Sequence, residues 1–282
     1  MFQRFRMDFG LGSDWPASVR EVVTFISNES LSGKAPATIS SYVAGVSYYH
    51  KLGGWQDPTK AFIVAKLLEG CKRLNNRTDP RLPVTLAVLR NIFPVLSSTC
   101  SSSYEKLLFQ AAFSLAFLDF FLASAEFAAM SRSASAESVS IKRHFLHGDF
   151  SALQVRLRFS KTDQRGNATV LTIRNAGEAS VCPVSAMVRF LRVRPTGEGP
   201  LFVHLDKSPL TRYQVNHILR KALEFGGYPS HKFSSHSFRI GAATSAAVSG
   251  FSSEEIQSLG RWRSGIYKVY VRPGAMFTGS QI

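Results

Sequence analysis

Acidic residues are scarce in this chain. Its 282 residues include 19 aspartates and glutamates against 34 lysines and arginines, which leaves a formal net charge of +15. Residues 1–82 (11 basic, 7 acidic) and residues 83–282 (23 basic, 12 acidic) are both positive. An excess of this size favours a polyanionic partner, either nucleic acid or an anionic membrane surface. A basic chain without a concentrated basic patch is the alternative that composition leaves open.

Cysteine is also scarce. The three cysteines, Cys71, Cys100 and Cys182, are odd in number and show no spacing typical of a metal site. This usage predicts a reducing compartment rather than a disulfide framework. The residues that follow Met1 lack the apolar core of a secretory signal, so we expect a protein that is not secreted.

Long uninterrupted apolar runs are missing as well. Residues 107–130 come nearest to one, but Gln110, Asp119 and Glu126 interrupt them. Because a membrane-spanning helix needs about 20 mostly apolar residues, we expect a buried helix of a folded core here. A hydrophobic content of 45% and an aromatic content of 12% exclude a disordered chain.

The N-terminal part of the chain reads as a small helical unit. After a loose lead-in over residues 1–15, apolar residues at helical spacing predict helices that begin near Pro16, Pro36 and Pro58. Residues 75–83 are polar and bracketed by prolines, which is typical of a linker. We therefore predict a helical domain over residues 1–82 and a second domain over residues 83–282.

The second domain mixes helices with a few strands. The pattern predicts helices over residues 85–96 and 104–122, the latter apolar almost all round and so buried. From Leu153 to Phe159 apolar and polar residues alternate, as in a half-buried strand, and residues 168–174 return as its partner. Helices resume after residue 183. The predicted fold class is mainly α with a small antiparallel β-sheet, and Lys161 falls at the tip of the predicted hairpin.

Two residues near the C-terminus have the spacing of an anion site. His236 and Arg239 are three residues apart at the start of a predicted helix, so both lie on one face. The positive end of the helix, the guanidinium and the imidazole can together bind a phosphate. In isolation the motif is weak, since His236 can equally be a capping histidine and Arg239 a surface ion-pair partner.

Three further residues can extend that site. Trp262 offers an indole N–H donor and Tyr270 a phenol that can attack phosphorus. Lys161 can protonate a leaving oxygen or contact a base edge. Taken singly, each has a plainer explanation: a core tryptophan, a packed tyrosine and a solvated turn lysine. Tyr267 competes with Tyr270 for the role of nucleophile. The order of these residues, within one basic domain behind a helical one, is what favours a joint site.

In that order the motifs resemble those of the tyrosine recombinases of the phage-integrase family. The segments H-S-F-R-I-G-A-A-T, L-G-R-W-R-S and Y-K-V-Y-V-R most resemble recombinases of DIRS-type and Crypton-type mobile elements. Residues 16–76 are similar to the helical core-binding domain of the family, and residues 84–272 to its catalytic domain. The C-terminal motif is specific, whereas the N-terminal likeness rests on helix count and placement.

The resemblance implies a role for each residue. Tyr270 would form a 3′-phosphotyrosyl link, His236 and Arg239 would hold the non-bridging oxygens, and Lys161 would protonate the leaving 5′ oxygen. Trp262 would occupy the position that many relatives fill with a second histidine. The resemblance also implies four DNA-binding arginines, namely Arg156, Arg158, Arg261 and Arg263.

The same resemblance implies partners, architecture and location. Such enzymes use neither a metal nor a nucleotide cofactor, form a two-domain C-shaped clamp on double-stranded DNA, and work as tetramers. They would act in DNA integration, in the nucleus of a eukaryotic cell or otherwise in the cytoplasm or nucleoid, and not in a membrane.

One departure from the family pattern concerns charge. The family has an arginine three residues before a glutamate; here Glu126 is present and Ala123 stands in the arginine position. Loss of a comparable transition-state stabiliser costs about 10²–10⁵ in rate. Arg132 is a substitute that lies nine residues further on. The sequence therefore supports an attenuated recombinase, with a catalytically inactive, recombinase-derived DNA-binding protein as the alternative. A basic helical protein without a recombinase role is a third reading.

Overall fold

The chain divides into two compact units, Met1–Asp79 and Pro80–Ile282. A computed structural model describes residues 1–74, 79–118, 128–129, 141–146, 152–157, 169–175, 181–197, 199–262 and 264–275. Each unit has a hydrophobic core of its own.

The first unit is all-helical in its described part, as predicted. The helices are α1 (Phe2–Asp8), α2 (Val19–Leu31), α3 (Pro36–Leu52), a 3₁₀ turn (Pro58–Lys60) and α4 (Phe62–Leu74). Ser18 caps α2, because its hydroxyl accepts the Glu21 N–H while the Glu21 carboxylate accepts the Ser18 N–H.

The expectation of a loose lead-in over residues 1–15 is wrong for residues 2–8. Residues 2–8 form α1, and the rings of Phe2 and Phe5 lie 5.1 and 5.2 Å from that of Phe25. The burial of these aromatic side chains stabilises a helix that is too short to be stable alone. No local sequence pattern predicts that α1 packs against Phe25 of α2.

An ion pair between the buried Arg6 and the partly exposed Glu21 joins α1 to α2. Arg6 Nε donates to Glu21 Oε1 at 2.8 Å, and Arg6 Nη2 donates to the Asp14 carbonyl at 2.6 Å. The Arg6 side chain is only 4% exposed. Removing one partner of such a pair leaves a buried charge uncompensated, which typically costs about 3–5 kcal/mol.

Acid should weaken this junction. Burial acts to raise the pKa of Glu21, but hydrogen bonds from Ser18 and the charge of Arg6 outweigh it and lower that pKa below 4.5. Because the folded-state pKa is depressed, the stability it contributes is present above the ordinary glutamate pKa and is lost as the pH falls through the folded value. We expect Glu21→Gln to lower the free energy of unfolding at neutral pH, and the gap from wild type to close in acid. Urea titrations of both proteins across that range measure the gap, and a gap independent of pH contradicts this account.

The second unit contains most of the chain. Its helices and strands are α5 (Leu86–Thr99), α6 (Ser103–Leu118), β1 (Ile141–Leu146), β2 (Ala152–Leu157), β3 (Thr169–Arg174), α7 (Pro183–Val193), α8 (Arg212–Phe225), α9 (His236–Val248) and α10 (Ser253–Leu259). Short 3₁₀ helices cover Ser230–Lys232, Gly265–Val269 and Pro273–Ala275. The predicted fold class, mainly α with a small antiparallel sheet, is confirmed.

Helix α6 is the buried centre of this unit, as its sequence predicted up to residue 118. Leu108, Phe109 and Phe113 are at most 1% exposed, and α6 packs against α5, α7 and α9. The Phe113 ring lies 5.3 Å from the ring of Phe238 in α9. The core of the unit is therefore continuous with the helix that carries the candidate anion site.

The sheet has three antiparallel strands in the order β1-β2-β3. The predicted pair corresponds to β2 and β3, whereas β1 had no recognised sequence signal. Leu153 is fully buried and its partner Ile173 packs against the core, while Thr172 and Arg174 on the alternate positions are exposed. One face of the sheet therefore covers the core, and the other faces solvent at β3.

The start of the second unit lies directly on α9. The Leu82 N–H donates to the Lys232 carbonyl at 2.8 Å, and the Val84 N–H donates to the Ser237 carbonyl at 2.9 Å. This approach requires glycine at position 241, because a Cβ there would collide with the Val84 backbone.

Substituting that glycine should therefore destabilise the second unit. Gly241→Ala forces residues 82–84 away from α9, and overpacking of this kind costs about 1–3 kcal/mol. Gly45→Ala in α3 is the matched control: nothing lies within 4 Å of its added Cβ, so helix propensity should stabilise it by about 0.5–1 kcal/mol. Thermal unfolding of the two variants gives the comparison. Equal shifts in the same direction would show that residues 82–84 do not lie where described.

Candidate active site

The N-terminus of α9 presents His236 and Arg239, one turn apart and both half-buried. Two contacts fix this helix start: the Ser235 N–H donates to Asn216 Oδ1 of α8 at 2.7 Å, and the His236 N–H donates to Ser234 Oγ at 3.3 Å. The two candidate phosphate ligands thus belong to a rigid element rather than to a loop, and their predicted helical placement is confirmed.

Helix α10 ends in a turn that aims Trp262 back at α9. The backbone N–H of Trp262 donates to the Gln257 carbonyl at 2.9 Å, and that of Arg261 donates to the Ser258 carbonyl at 3.0 Å. Together these bonds form a Schellman arrangement. Arg261 has a φ of 47°, a strained value for a side chain other than glycine. Gly260 is required because a Cβ there would collide with the indole.

The guanidinium of Arg239 contacts this turn. Arg239 Nη2 donates to the Gly260 carbonyl at 3.0 Å, and its Cζ lies 4.6 Å from the centre of the Trp262 ring. A cation over an indole face is attracted by the ring quadrupole. The indole face of Trp262 therefore stabilises the position of the guanidinium, while the indole N–H is a separate hydrogen-bond donor. The turn after α10 therefore fixes the orientation of Arg239.

Tyr270 completes the group. Its hydroxyl lies 3.5 Å from His236 Nε2, and its ring centre lies 5.2 Å from that of Trp262 and 5.4 Å from Arg239 Cζ. The hydroxyl–imidazole distance is at the long end for a hydrogen bond, as catalytic contacts without substrate often are. A phenol beside an imidazole has a route for its proton, and the guanidinium places a positive charge next to its ring.

Tyr267, the competing tyrosine, is placed differently. It is 6% exposed, and its hydroxyl donates to Ser253 Oγ of α10 at 2.6 Å. Its ring packs with Ala246 and Ile256 in a small apolar cluster. The arrangement gives Tyr267 a packing role and leaves the half-buried Tyr270 facing the histidine and the arginine.

Several predicted site residues lie outside the described residues. These are Lys161, Arg158, Ala123, Glu126, Arg132 and Arg263. Arg156 lies in β2, and its register partner across the sheet is Arg143 of β1. The sequence reasoning missed this pairing because it did not recognise β1.

Thr244 and Arg272 were also missed. The Thr244 hydroxyl bonds to the backbone of residues 270 and 272, and Arg272 Nη1 donates to the Arg81 carbonyl at 2.6 Å. Thr244 ends the segment H-S-F-R-I-G-A-A-T and Arg272 ends the segment Y-K-V-Y-V-R. The spacing within either motif does not indicate these contacts, because both join residues far apart in sequence.

In the described part of the chain, no group of three or more His, Cys, Asp or Glu side chains is arranged to hold a metal ion. None of the helices in that part is long and apolar enough to cross a membrane.

Comparison with known proteins identifies similar chains. No family model matches the sequence. An integrase/recombinase xerD homologue of Selenomonas ruminantium is 27% identical over 253 residues, which cover 83% of this chain and 67% of that protein.

Three solved structures share the fold. XerH site-specific recombinase bound to a palindromic difH substrate has a TM-score of 0.65 at 15% identity, covering 95% of this chain and 72% of that one. The Tn1549 transposon integrase in complex with circular intermediate DNA has a TM-score of 0.59 at 13% identity, covering 95% and 86%. A lambda integrase dimer bound to a core site has a TM-score of 0.58 at 14% identity, covering 98% and 72%.

The chain is thus similar in sequence to a named integrase/recombinase and shares the fold of recombinase and integrase structures. At such low identities the solved structures show the fold alone, and the sequence relative adds a recombinase by name. The finer likeness to DIRS-type and Crypton-type elements stays a prediction from the sequence motifs.

Proposed function

We propose that this chain cleaves and rejoins DNA in site-specific recombination or integration, through a 3′-phosphotyrosyl intermediate on Tyr270. The observation that carries the proposal is the meeting of Tyr270 with His236 and Arg239, with the hydroxyl 3.5 Å from the imidazole. The similarity to a named integrase/recombinase and the net charge of +15 support the same conclusion.

The proposed step exchanges one phosphate ester for another. The Tyr270 oxygen forms a bond to the scissile phosphorus, its proton leaves to a neighbouring base, and the bond from phosphorus to the 5′ oxygen breaks. Arg239 and His236 bind the non-bridging oxygens, and the indole N–H of Trp262 is a further hydrogen-bond donor to the phosphate. Lys161 supplies the proton that the leaving 5′ oxygen needs. Rejoining reverses the step with a 5′-hydroxyl as the attacking group.

DNA binding is assigned to both domains. Residues 1–82 act as the helical core-binding domain and residues 83–282 as the catalytic domain, each with a positive net charge. Arg156, Arg158, Arg261 and Arg263 contact phosphates.

The assembly and origin follow the family. We propose a homo-oligomer on paired duplexes, in keeping with a relative described as a dimer on its core site. The tetrameric state, the mobile-element origin and the nuclear or nucleoid location remain predictions.

A catalytically inactive DNA-binding protein is the second candidate, and Ala123 favours it. The missing arginine would have offset charge that develops in the transition state, so its loss leaves binding intact while slowing cleavage. The two candidates therefore differ in the rate of covalent chemistry and not in affinity for DNA.

A nicked suicide substrate separates these candidates. Cleavage upstream of a nick releases a short strand and traps the covalent intermediate, so nicked duplexes from the DNA flanking the coding sequence should yield a denaturation-resistant adduct. Tyr270→Phe should abolish the adduct, whereas Tyr267→Phe should keep it. Ala123→Arg should raise its rate of formation by about 10²–10³. An adduct that survives Tyr270→Phe refutes the assigned nucleophile. No adduct with wild type, together with an adduct for Ala123→Arg, identifies the inactive, recombinase-derived DNA-binding protein.

Salt dependence tests the arginines of the sheet. Binding through phosphates releases counterions, so affinity for duplex DNA should fall steeply with salt concentration. Arg156→Ala should weaken binding to all sequences and reduce the slope of log K against log salt by about 1. Arg189→Ala, an exposed arginine of α7 outside the proposed contacts, is the control and should leave the slope unchanged. Equal slopes for wild type and Arg156→Ala remove Arg156 from the phosphate contacts.

A further inference from the structure

Thr244 of α9 makes two hydrogen bonds to the tyrosine segment, which we define as residues 265–272. Its hydroxyl donates to the Tyr270 carbonyl at 3.1 Å and accepts the Arg272 N–H at 3.0 Å. The side chain is fully buried. One hydroxyl therefore grips the backbone at Tyr270 itself and two residues beyond it.

The direction of these bonds is unusual for a threonine inside a helix. Such a hydroxyl commonly bonds back to the carbonyl four residues earlier in its own helix. Here it reaches residues 26 and 28 positions further along the chain. The bonds therefore join two separate elements rather than stabilise α9.

Thr244 lies in the same helix as the candidate phosphate ligands. Arg239 and His236 lie five and eight residues earlier in the same helix, about 7.5 and 12 Å along its axis. A single rigid element thus carries both candidate phosphate ligands and the group that holds the backbone of the candidate nucleophile. Any shift of that backbone relative to α9 changes the distance from the phenol to the phosphate.

We propose that Thr244 is a positioning residue that sets the reach of the Tyr270 hydroxyl toward a phosphate bound at His236 and Arg239. This rests on the proposed function, because it assigns Thr244 a part in the same cleavage step. Thr244 touches neither DNA nor the reacting atoms. It acts by fixing where the tyrosine backbone lies.

Other contacts keep the tyrosine segment folded when this hydroxyl is removed. Tyr267 is anchored to Ser253 of α10, and the Tyr270 N–H donates to the Tyr267 carbonyl at 2.8 Å. On the other side, Arg272 Nη1 donates to the Arg81 carbonyl at 2.6 Å. Loss of the hydroxyl should therefore loosen the position of Tyr270 without unfolding the domain.

Valine and serine separate the hydroxyl from the shape of the side chain. Thr244→Val keeps the volume and removes both hydrogen bonds, while Thr244→Ser keeps the hydroxyl. Thr99→Val is the matched control, because Thr99 is a buried threonine of α5 whose hydroxyl donates within its own helix to the Val95 carbonyl. All three are made in the full chain.

The first readout is the rate of adduct formation on nicked duplex at saturating DNA, together with the DNA concentration for half-saturation. A misplacement of about 1 Å can cost 10²-fold in rate, so Thr244→Val should slow the maximal rate by about that factor. The concentration for half-saturation should stay unchanged, because the phosphate ligands are untouched. Thr244→Ser should restore most of the rate, and Thr99→Val should match wild type.

The second readout does not depend on catalysis. Hydrogen exchange at the Arg272 amide, followed by mass spectrometry, should be faster in Thr244→Val than in wild type, Thr244→Ser or Thr99→Val. If wild type forms no adduct, the proposed enzymatic function fails, while this exchange pattern still supports the hold of Thr244 on the segment. Unchanged exchange in Thr244→Val, or a maximal rate equal to wild type, overturns the proposal. Equal slowing by valine and serine overturns it as well.

Discussion

The guanidinium of Arg239 is the group on which the geometry of the site depends. It lies over the rings of both Trp262 and Tyr270 and donates to the Gly260 carbonyl. Those contacts require the indole to fold back over a position without a Cβ, which explains glycine at 260 and the left-handed Arg261 beside it. The turn after α10 is thus built around a single cation, and that cation faces the candidate nucleophile.

Helix α9 carries or contacts the other parts of the site. Its first turn carries His236 and Arg239, its middle lacks a side chain at Gly241 where Val84 crosses, and Thr244 holds the tyrosine segment. Phe238 on the opposite face is fully buried in the main core of the second unit. The site therefore inherits the rigidity of that core, as electrostatic stabilisation of a transition state requires.

Much of this could be predicted from the sequence, and the exceptions have a common cause. The spacing of His236 and Arg239 and the alternation along β2 could be predicted, because each depends only on residues close together in sequence. Helix α1, strand β1 and the Thr244 contacts depend on partners distant in sequence, which periodicity does not encode. Tyr267 and Tyr270 lie only three residues apart, and distant contacts separate their roles: Tyr267 donates to Ser253, whereas Tyr270 faces His236 and Arg239.

We propose that DNA is covalently linked to Tyr270, the tyrosine that lies beside His236 and Arg239. Peptide mapping of the trapped adduct tests it directly, because trypsin cuts after Lys268 and so places the two neighbouring tyrosines in different peptides. The account predicts that the nucleotide remnant is carried by the peptide that begins at Val269. A remnant on the peptide that contains Tyr267, or on any other part of the chain, would contradict it.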